Sequence, residues 1–176
     1  MRRRRLLALP ALGLAAGLLL VGCGDDEKNV TVDGTDYSVS DDGDEVKVES
    51  SDGSYQGTTG KLPDGFPSDD VPLIDAPVDA AYGATAEGQG RTFTVGLKVE
   101  GDVGVRFDEA VSDLKDAGYT STNTSSVGST RLASFEGEAW DVMLTADTEQ
   151  TTISYVVTSA DRNATSSPAS TTTSTP

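Results

Sequence analysis

Four acidic side chains lie close together in the N-terminal part of the chain, at Asp41, Asp42, Asp44 and Glu45. Carboxylate oxygens suit calcium, which takes six to eight oxygen ligands, usually from a defined loop. The spacing follows neither the alternating acidic positions of an EF-hand nor the nonapeptide repeat of a calcium β-helix. Aspartate is also a common residue of tight turns, so turns explain the same cluster. These four residues are the candidate metal ligands, and no cofactor is predicted.

A Ser-x-x-Lys sequence at Ser112 and Lys115 offers a nucleophile and a base one helical turn apart. The same spacing occurs in penicillin-binding proteins and β-lactamases, where the lysine has been assigned the role of activating the serine. Their companion sequences Lys-Thr-Gly and Ser-Asp-Asn are missing from this chain, which is also too short for that scaffold. We therefore predict that Ser112 and Lys115 lie on the solvated face of a helix and that the protein is not an enzyme.

Histidine is absent and cysteine occurs once, at Cys23. The absence of histidine excludes Ser-His-Asp catalysis, a histidine general base and every histidine metal ligand. A single cysteine excludes a disulfide within the chain and a Cys-x-x-Cys metal site.

The N-terminus has the charge and hydropathy pattern of a secretory signal peptide. Four arginines, Arg2 to Arg5, precede an apolar run of 16 residues from Leu6 to Val21. A helix needs roughly 20 apolar residues to span a bilayer, so this run is short for a membrane anchor. A positive start, a short apolar stretch and a small-residue cleavage site are typical of export signals. We expect residues 1–22 to be removed on export, with the general secretory and twin-arginine routes both open.

The leader ends in Leu20, Val21, Gly22 and Cys23, which resemble the lipobox of bacterial lipoproteins. The resemblance implies that a signal peptidase recognises the first three residues and cuts before Cys23, whose sulfur then carries two palmitate-type chains. One acyl chain binds a membrane marginally and two hold it well, at about 0.8 kcal/mol per buried methylene. The expected location is the outer face of the cytoplasmic membrane, with the membrane as a partner through Cys23.

The expected mature chain is strongly acidic. Removal of residues 1–22 from the 176 would leave 154 residues, enough for one domain with flexible flanks. The leader holds four of the 13 basic residues and none of the 29 acidic ones, which leaves nine against 29 and a net charge of −20. Such a surface repels phosphate backbones, so no nucleic acid is expected as a partner.

Residues 23–60 are expected to form an acidic, lipid-anchored segment with short hairpins. Asp-Gly pairs recur at Asp33, Asp42 and Asp52, and Asp-Gly between alternating apolar residues indicates a hairpin. The alternating residues give a small meander with one thin apolar face, formed by Val30, Val32, Tyr37, Val39, Val46 and Val48. The low apolar content leaves the order of this segment open. The proline-rich residues 61–75 are expected to form an extended connector.

Residues 76–159 are expected to fold as an α+β domain. Strands are indicated around Ala80, Tyr82 and Ala84, over 93–99, over 131–136, and around Trp140 and Ile153. An apolar stripe at helical spacing predicts a helix over about 105–117, capped by Gly118. We expect a mostly antiparallel sheet covered by this one helix. Residues 160–176 are mostly Ser, Thr, Ala and Pro and are expected to be a disordered tail, with glycosylation left open.

The order of these signals resembles secreted actinobacterial lipoproteins of unknown function. Their L-P-x-x-F-P-x-D-V-P-L entry to a small α+β domain is similar to residues 62–73 here, in which Asp70 is an insertion. The resemblance covers about residues 20–158. It implies a fold and an extracytoplasmic location, and it carries no catalytic residue to this chain.

We expect a non-enzymatic binding or structural role at the cell envelope, toward an envelope protein or a small ligand. The alternative is a small-ligand or calcium-binding lipoprotein, such as a transporter accessory. A two-lobed solute-binding protein is excluded because about 85 residues cannot build two lobes. An apolar pocket beneath the helix would favour a ligand, with lining residues Tyr82, Phe93, Phe107 and Trp140. A filled core with an exposed apolar patch would favour a protein partner.

Overall fold

The computed structural model describes residues 28–86 and 90–160. The predicted signal peptide, its recognition residues Leu20, Val21 and Gly22, the lipidation site Cys23 and the tail from residue 161 lie outside these residues.

Within the described residues the chain forms ten strands and one helix. In chain order these are β1 (Lys28–Val32), β2 (Thr35–Val39), β3 (Glu45–Ser50), β4 (Gly53–Thr59), β5 (Val78–Ala86), β6 (Gly90–Lys98), α1 (Val103–Asp116), β7 (Thr120–Val127), β8 (Thr130–Glu136), β9 (Trp140–Asp147) and β10 (Thr152–Ser159). The predicted class, a mostly antiparallel sheet with a single helix, is confirmed for this part of the chain.

The described strands belong to one sheet in the order β1-β2-β3-β4-β5-β6-β10-β9-β8-β7. After β6 the chain passes through α1 to the far edge at β7 and returns strand by strand until β10 pairs with β6. Every pair of neighbouring strands is antiparallel. Residues 28–59, predicted as a small preceding meander, form β1–β4 of this same sheet.

The helix begins and ends at residues whose side chains and backbone satisfy its free polar groups. Asp102 caps the start by accepting a hydrogen bond from the Val105 N–H at 3.0 Å. At the other end, Gly118 takes a φ of +92° and the Tyr119 N–H donates to the Leu114 carbonyl at 3.0 Å. This is the glycine-terminated ending that the sequence predicts, although α1 begins two residues before the predicted start at 105 and ends one before 117.

The core lies between α1, the connector and one face of the C-terminal strands. The buried helix residues are Val103, Phe107, Ala110 and Leu114, and α1 packs against β8, β9 and β10. The sheet contributes Phe93, Val95, Leu97, Ala133, Phe135, Val142, Leu144, Ala146, Ile153, Tyr155 and Val157. Phe107, Leu114 and Tyr155 are fully buried, so this layer is filled by side chains.

The connector is part of that core. Val71 is 1% exposed, Ile74 is 3% exposed and Phe66 packs edge-on against Phe93 at 5.6 Å between ring centroids. The Ile74 N–H donates to the Tyr155 hydroxyl at 3.4 Å, and burial raises the pKa of Tyr155. The connector is not extended throughout as the sequence predicts: the Phe66 N–H donates to the Pro63 carbonyl and the Val71 N–H to the Pro67 carbonyl, which closes turns that place the apolar side chains on the sheet beside the helix.

Candidate functional site: an exposed apolar sheet face

The four acidic candidate ligands are divided between a turn and an ion-pair network. Asp42 accepts hydrogen bonds from the Ser40 hydroxyl at 2.5 Å and from the Asp44 N–H at 3.1 Å, and the Ser40 bond is the main reason that the pKa of Asp42 is lowered. Asp41 and Asp44 are exposed in the same turn. Among the described residues no three His, Cys, Asp or Glu side chains are grouped so that they could hold a metal ion. Turn formation accounts for these aspartates.

Glu45 is the acidic centre of a polar network that joins β3 and β4 to the connector. Its carboxylate pairs with Lys47 at 2.7 Å and with Lys61 at 2.5 Å, and it accepts a hydrogen bond from the Gln56 side chain at 3.0 Å. Lys47 also pairs with Asp64 at 3.0 Å. The hydrogen bond from Lys47, followed by that from Lys61, lowers the pKa of Glu45 to about 2. The sequence offered Glu45 as a cation ligand, whereas two lysines supply the positive charge beside it.

Replacing Glu45 by glutamine is expected to lower the free energy of unfolding by about 1 kcal/mol at pH 7, near the upper value for ion pairs that solvent screens. Because the pKa is depressed in the folded chain from its ordinary 4.5, the carboxylate's contribution is present above pH 4.5 and is lost as the pH falls toward 2. Urea unfolding at pH 7 and pH 3 measures this difference.

The matched control is Glu49→Gln on the same strand, since Glu49 forms no ion pair within the described residues. The difference in free energy of unfolding between wild type and Glu45→Gln should be smaller at pH 3 than at pH 7, and the difference for Glu49→Gln should be small at both. A Glu45→Gln difference that is equal at the two pH values would contradict a stabilising role for the Glu45 ion pairs.

Ser112 and Lys115 are both exposed on α1. This is the placement that the helical stripe predicts, with Phe107, Ala110 and Leu114 turned to the sheet. The pair lies on the outer side of the helix.

The four residues that would line an apolar pocket beneath the helix lie on two different sides of the sheet. Phe107 is fully buried and Phe93 is 2% exposed, and Phe93 packs against Trp140 at 5.9 Å between ring centroids. Tyr82 lies on the opposite face of the sheet and is 45% exposed. Of the two arrangements that the sequence leaves open, the structure has the filled core, because Ala81 and Gly83 of β5 face the core and Tyr82 faces away.

A contiguous set of exposed apolar side chains covers that opposite face from β1 to β5. Cross-strand pairing aligns Val30, Tyr37, Val48, Tyr55 and Ala84 in one row. A second row contains Val39, Val46, Gly57 and Tyr82. We call these two rows, together with Val32 and with Lys28, which pairs with Val39, the apolar face. Its large side chains are between 38% and 57% exposed at Val30, Val32, Tyr37, Val46, Tyr55 and Tyr82.

Two tyrosines form the centre of the apolar face. The rings of Tyr55 and Tyr82 stack with centroids 6.0 Å apart and planes 25° apart. Gly57 lies between them, and a Cβ there would approach the Tyr55 hydroxyl to 3.3 Å and the Tyr82 ring to 3.4 Å. A cleft of about 270 Å³ opens here, with Val46, Tyr55, Gly57 and Tyr82 among its lining residues. Glycine thus leaves room beside two flat aromatic surfaces.

The polarity of the sheet reverses between its two halves. In β6, β9 and β10 the apolar side chains point toward α1. In β2 and β3 that same side carries Asp36, Glu45, Lys47 and Glu49. The strand registers establish this, since these residues align across β4 with the residues of β5 that face the core. The other side of β1–β4 carries the apolar face, where Lys28 is the one charged strand residue among those described. The described strand residues of β1–β4 thus place no carboxylate on this face, and the nearest acidic residues are Asp44 and Glu45, which line the edge of the cleft.

No family model, curated protein or solved structure matches this chain. Within residues 28–86 and 90–160, no helix has the length and apolar character to cross a bilayer.

Proposed function

We propose that the protein is a membrane-anchored lipoprotein of the cell envelope, held through Cys23, that acts by binding and not by catalysis. The observation that carries the binding role is the apolar face. A soluble monomer seldom leaves a contiguous patch of large apolar side chains exposed unless that patch has a partner. Leu20, Val21, Gly22 and Cys23 support the anchor, as does the charged and apolar leader before them.

The chemistry of the apolar face supports binding of an extended apolar surface. Tyrosines combine a large apolar ring with a hydroxyl that can stay in water, and such residues are enriched where proteins meet partners. Tyr55 and Tyr82 are stacked and supported by the sheet, so little side-chain entropy is lost when they are covered. Partial burial raises the pKa of the Tyr55 hydroxyl.

The alternative role, in binding a small ligand or calcium, has less support. The side chains beneath the helix fill the space in which an apolar ligand would sit. Asp42 and Glu45 have hydrogen-bond and ion-pair partners within the chain. Calorimetry with calcium to millimolar concentration separates this alternative from the proposal, which expects no binding heat.

Two measurements on the native protein test the two parts of the proposal. Intact mass of material extracted from membranes should correspond to a chain that starts at Cys23 plus a diacylglyceryl group. A photo-crosslinking residue at Tyr82 should give adducts in intact cells, while the same residue at Lys115, which is exposed on α1, should give few. An unmodified Cys23 would refute the anchor, and equal yields at the two positions would refute the apolar face as the binding surface.

A further inference from the structure

The apolar face lies close in the chain to the proposed acylation site. Lys28, the first residue of β1, is five residues after Cys23. A fully extended chain spans at most about 3.6 Å per residue, so β1 begins within about 18 Å of the lipidated sulfur. Strands in a sheet are about 4.8 Å apart, so the width from β1 to β5 is about 19 Å. The lipid anchor would therefore hold the whole apolar face within a short distance of the bilayer.

Charge distinguishes the two sides of β1–β4 that could lie against the bilayer. The side that continues the core face carries three carboxylates, of Asp36, Glu45 and Glu49, against one strand cation, Lys47. Anionic lipid headgroups repel this net negative charge. The apolar face carries one charged strand residue in the described β1–β4, the cation Lys28. A lysine close to an anionic leaflet contributes about 1 kcal/mol of attraction. The apolar face can therefore approach an anionic leaflet at a lower electrostatic free energy than the opposite side.

We propose that the apolar face docks onto the lipid bilayer to which the chain is tethered, so that β1–β5 lie on the membrane and α1 faces away from it. This inference rests on the proposed anchor at Cys23. Tyrosine is enriched at the membrane–water interface, where its ring meets the acyl region and its hydroxyl meets the headgroups. Tyr37, Tyr55 and Tyr82 supply three such rings on one side of the sheet.

The short tether makes weak docking sufficient. A short linker raises the effective concentration of a surface near its target, to about the millimolar range. Docking that is too weak to hold a free protein on a membrane is then populated once the anchor is in place. The apolar face can thus remain soluble before acylation and be covered afterwards.

A single introduced cysteine tests this orientation because acylation uses the sulfur of Cys23, the chain's own cysteine. Val30→Cys and Asn29→Cys are adjacent on β1, are both exposed and point to opposite sides of the sheet. Tyr37→Cys and Asp36→Cys form a second matched pair on β2. Each lipidated full-length mature variant is labelled with an environment-sensitive fluorophore and placed in vesicles of phosphatidylcholine with a minor fraction of phosphatidylglycerol. A quencher attached to the lipid then reports contact with the bilayer.

Docking predicts a blue-shifted emission and several-fold stronger quenching at Val30 and Tyr37 than at Asn29 and Asp36. Urea midpoints close to that of the wild type confirm that each variant is folded. Equal, weak quenching in both pairs, on protein that carries the diacylglyceryl mass and floats with the vesicles, overturns the docking and leaves the anchor intact. A blue shift without lipid quenching that disappears on dilution in the membrane also overturns it and identifies a second copy as the cover. Protein without the acyl mass refutes the proposed anchor and the docking with it.

Discussion

Replacing Cys23 by serine is expected to abolish incorporation of an alkyne-tagged palmitate and to leave a chain that retains residues 1–22. Serine has nearly the volume of cysteine, but its oxygen cannot form the thioether that carries the diacylglyceryl group. At about 0.8 kcal/mol per buried methylene, two long chains contribute roughly 20 kcal/mol or more to membrane attachment. Contacts between the polypeptide and the membrane cannot replace a free energy of attachment of that size. Acyl labelling and intact mass measure the change directly.

The control for this substitution is Gly22→Ala, which keeps a small residue immediately before the cleavage site. We expect this variant to be labelled and processed like the wild type, because the cleavage site calls for small residues and cysteine supplies the acylated sulfur. Acyl label that persists in Cys23→Ser would place the lipid at another residue. A wild-type chain without label would refute the lipoprotein assignment.

The elements that the sequence predicts best are those whose apolar period matches the side that is buried. Phe107, Ala110 and Leu114 recur at helical spacing, and all three are fully buried in α1. The alternation of Phe93, Val95 and Leu97 likewise marks the inner side of β6. In these elements, the local pattern and the tertiary environment agree, so periodicity alone is sufficient.

Strand β7 is one of two strands that the sequence does not predict, the other being β4. Its residues Thr120–Val127 are exposed throughout and have no apolar alternation. The strand exists because it pairs with β8 at the edge of the sheet, with a register shift between Ser121 and Asn123. Edge strands have solvent on three sides, so their side chains carry little of the hydrophobic signal on which sequence patterns depend.

The sequence predicts which residues of the candidate site share one side of their strands, but not that this side is exposed. Val30, Val46 and Tyr37 mark one side of their strands by alternation. Alternation does not tell on which side of a sheet the helix and the connector will pack, because that depends on long-range pairing. Here β4 pairs with β5 in a register that places Tyr55 beside Tyr82, on the side away from α1. The exposed patch therefore follows from the tertiary arrangement.

The expected effect of Phe107→Ala is a loss of about 3–5 kcal/mol in the free energy of unfolding. The Phe107 ring is fully buried beneath α1, and truncating such a ring removes its transfer free energy and leaves a cavity. The guanidinium of Arg131 lies 4.6 Å from the ring centroid. It also donates to the Gly104 carbonyl at 2.8 Å and pairs with Asp108. Removal of the ring thus also takes away the surface on which a residue joining β8 to the helix rests.

Val105→Ala provides the control for this substitution within the same helix. Val105 is 64% exposed, so its truncation should change the free energy of unfolding by less than about 0.5 kcal/mol. Trp140 is the single tryptophan of the chain and packs against Phe93 in the core, which makes its fluorescence a probe of urea unfolding. Stabilities of natural domains are about 5–15 kcal/mol, so Phe107→Ala should lose a large share of the total while remaining folded in the cold. A loss for Phe107→Ala no larger than that for Val105→Ala would show that α1 does not cover the sheet as described.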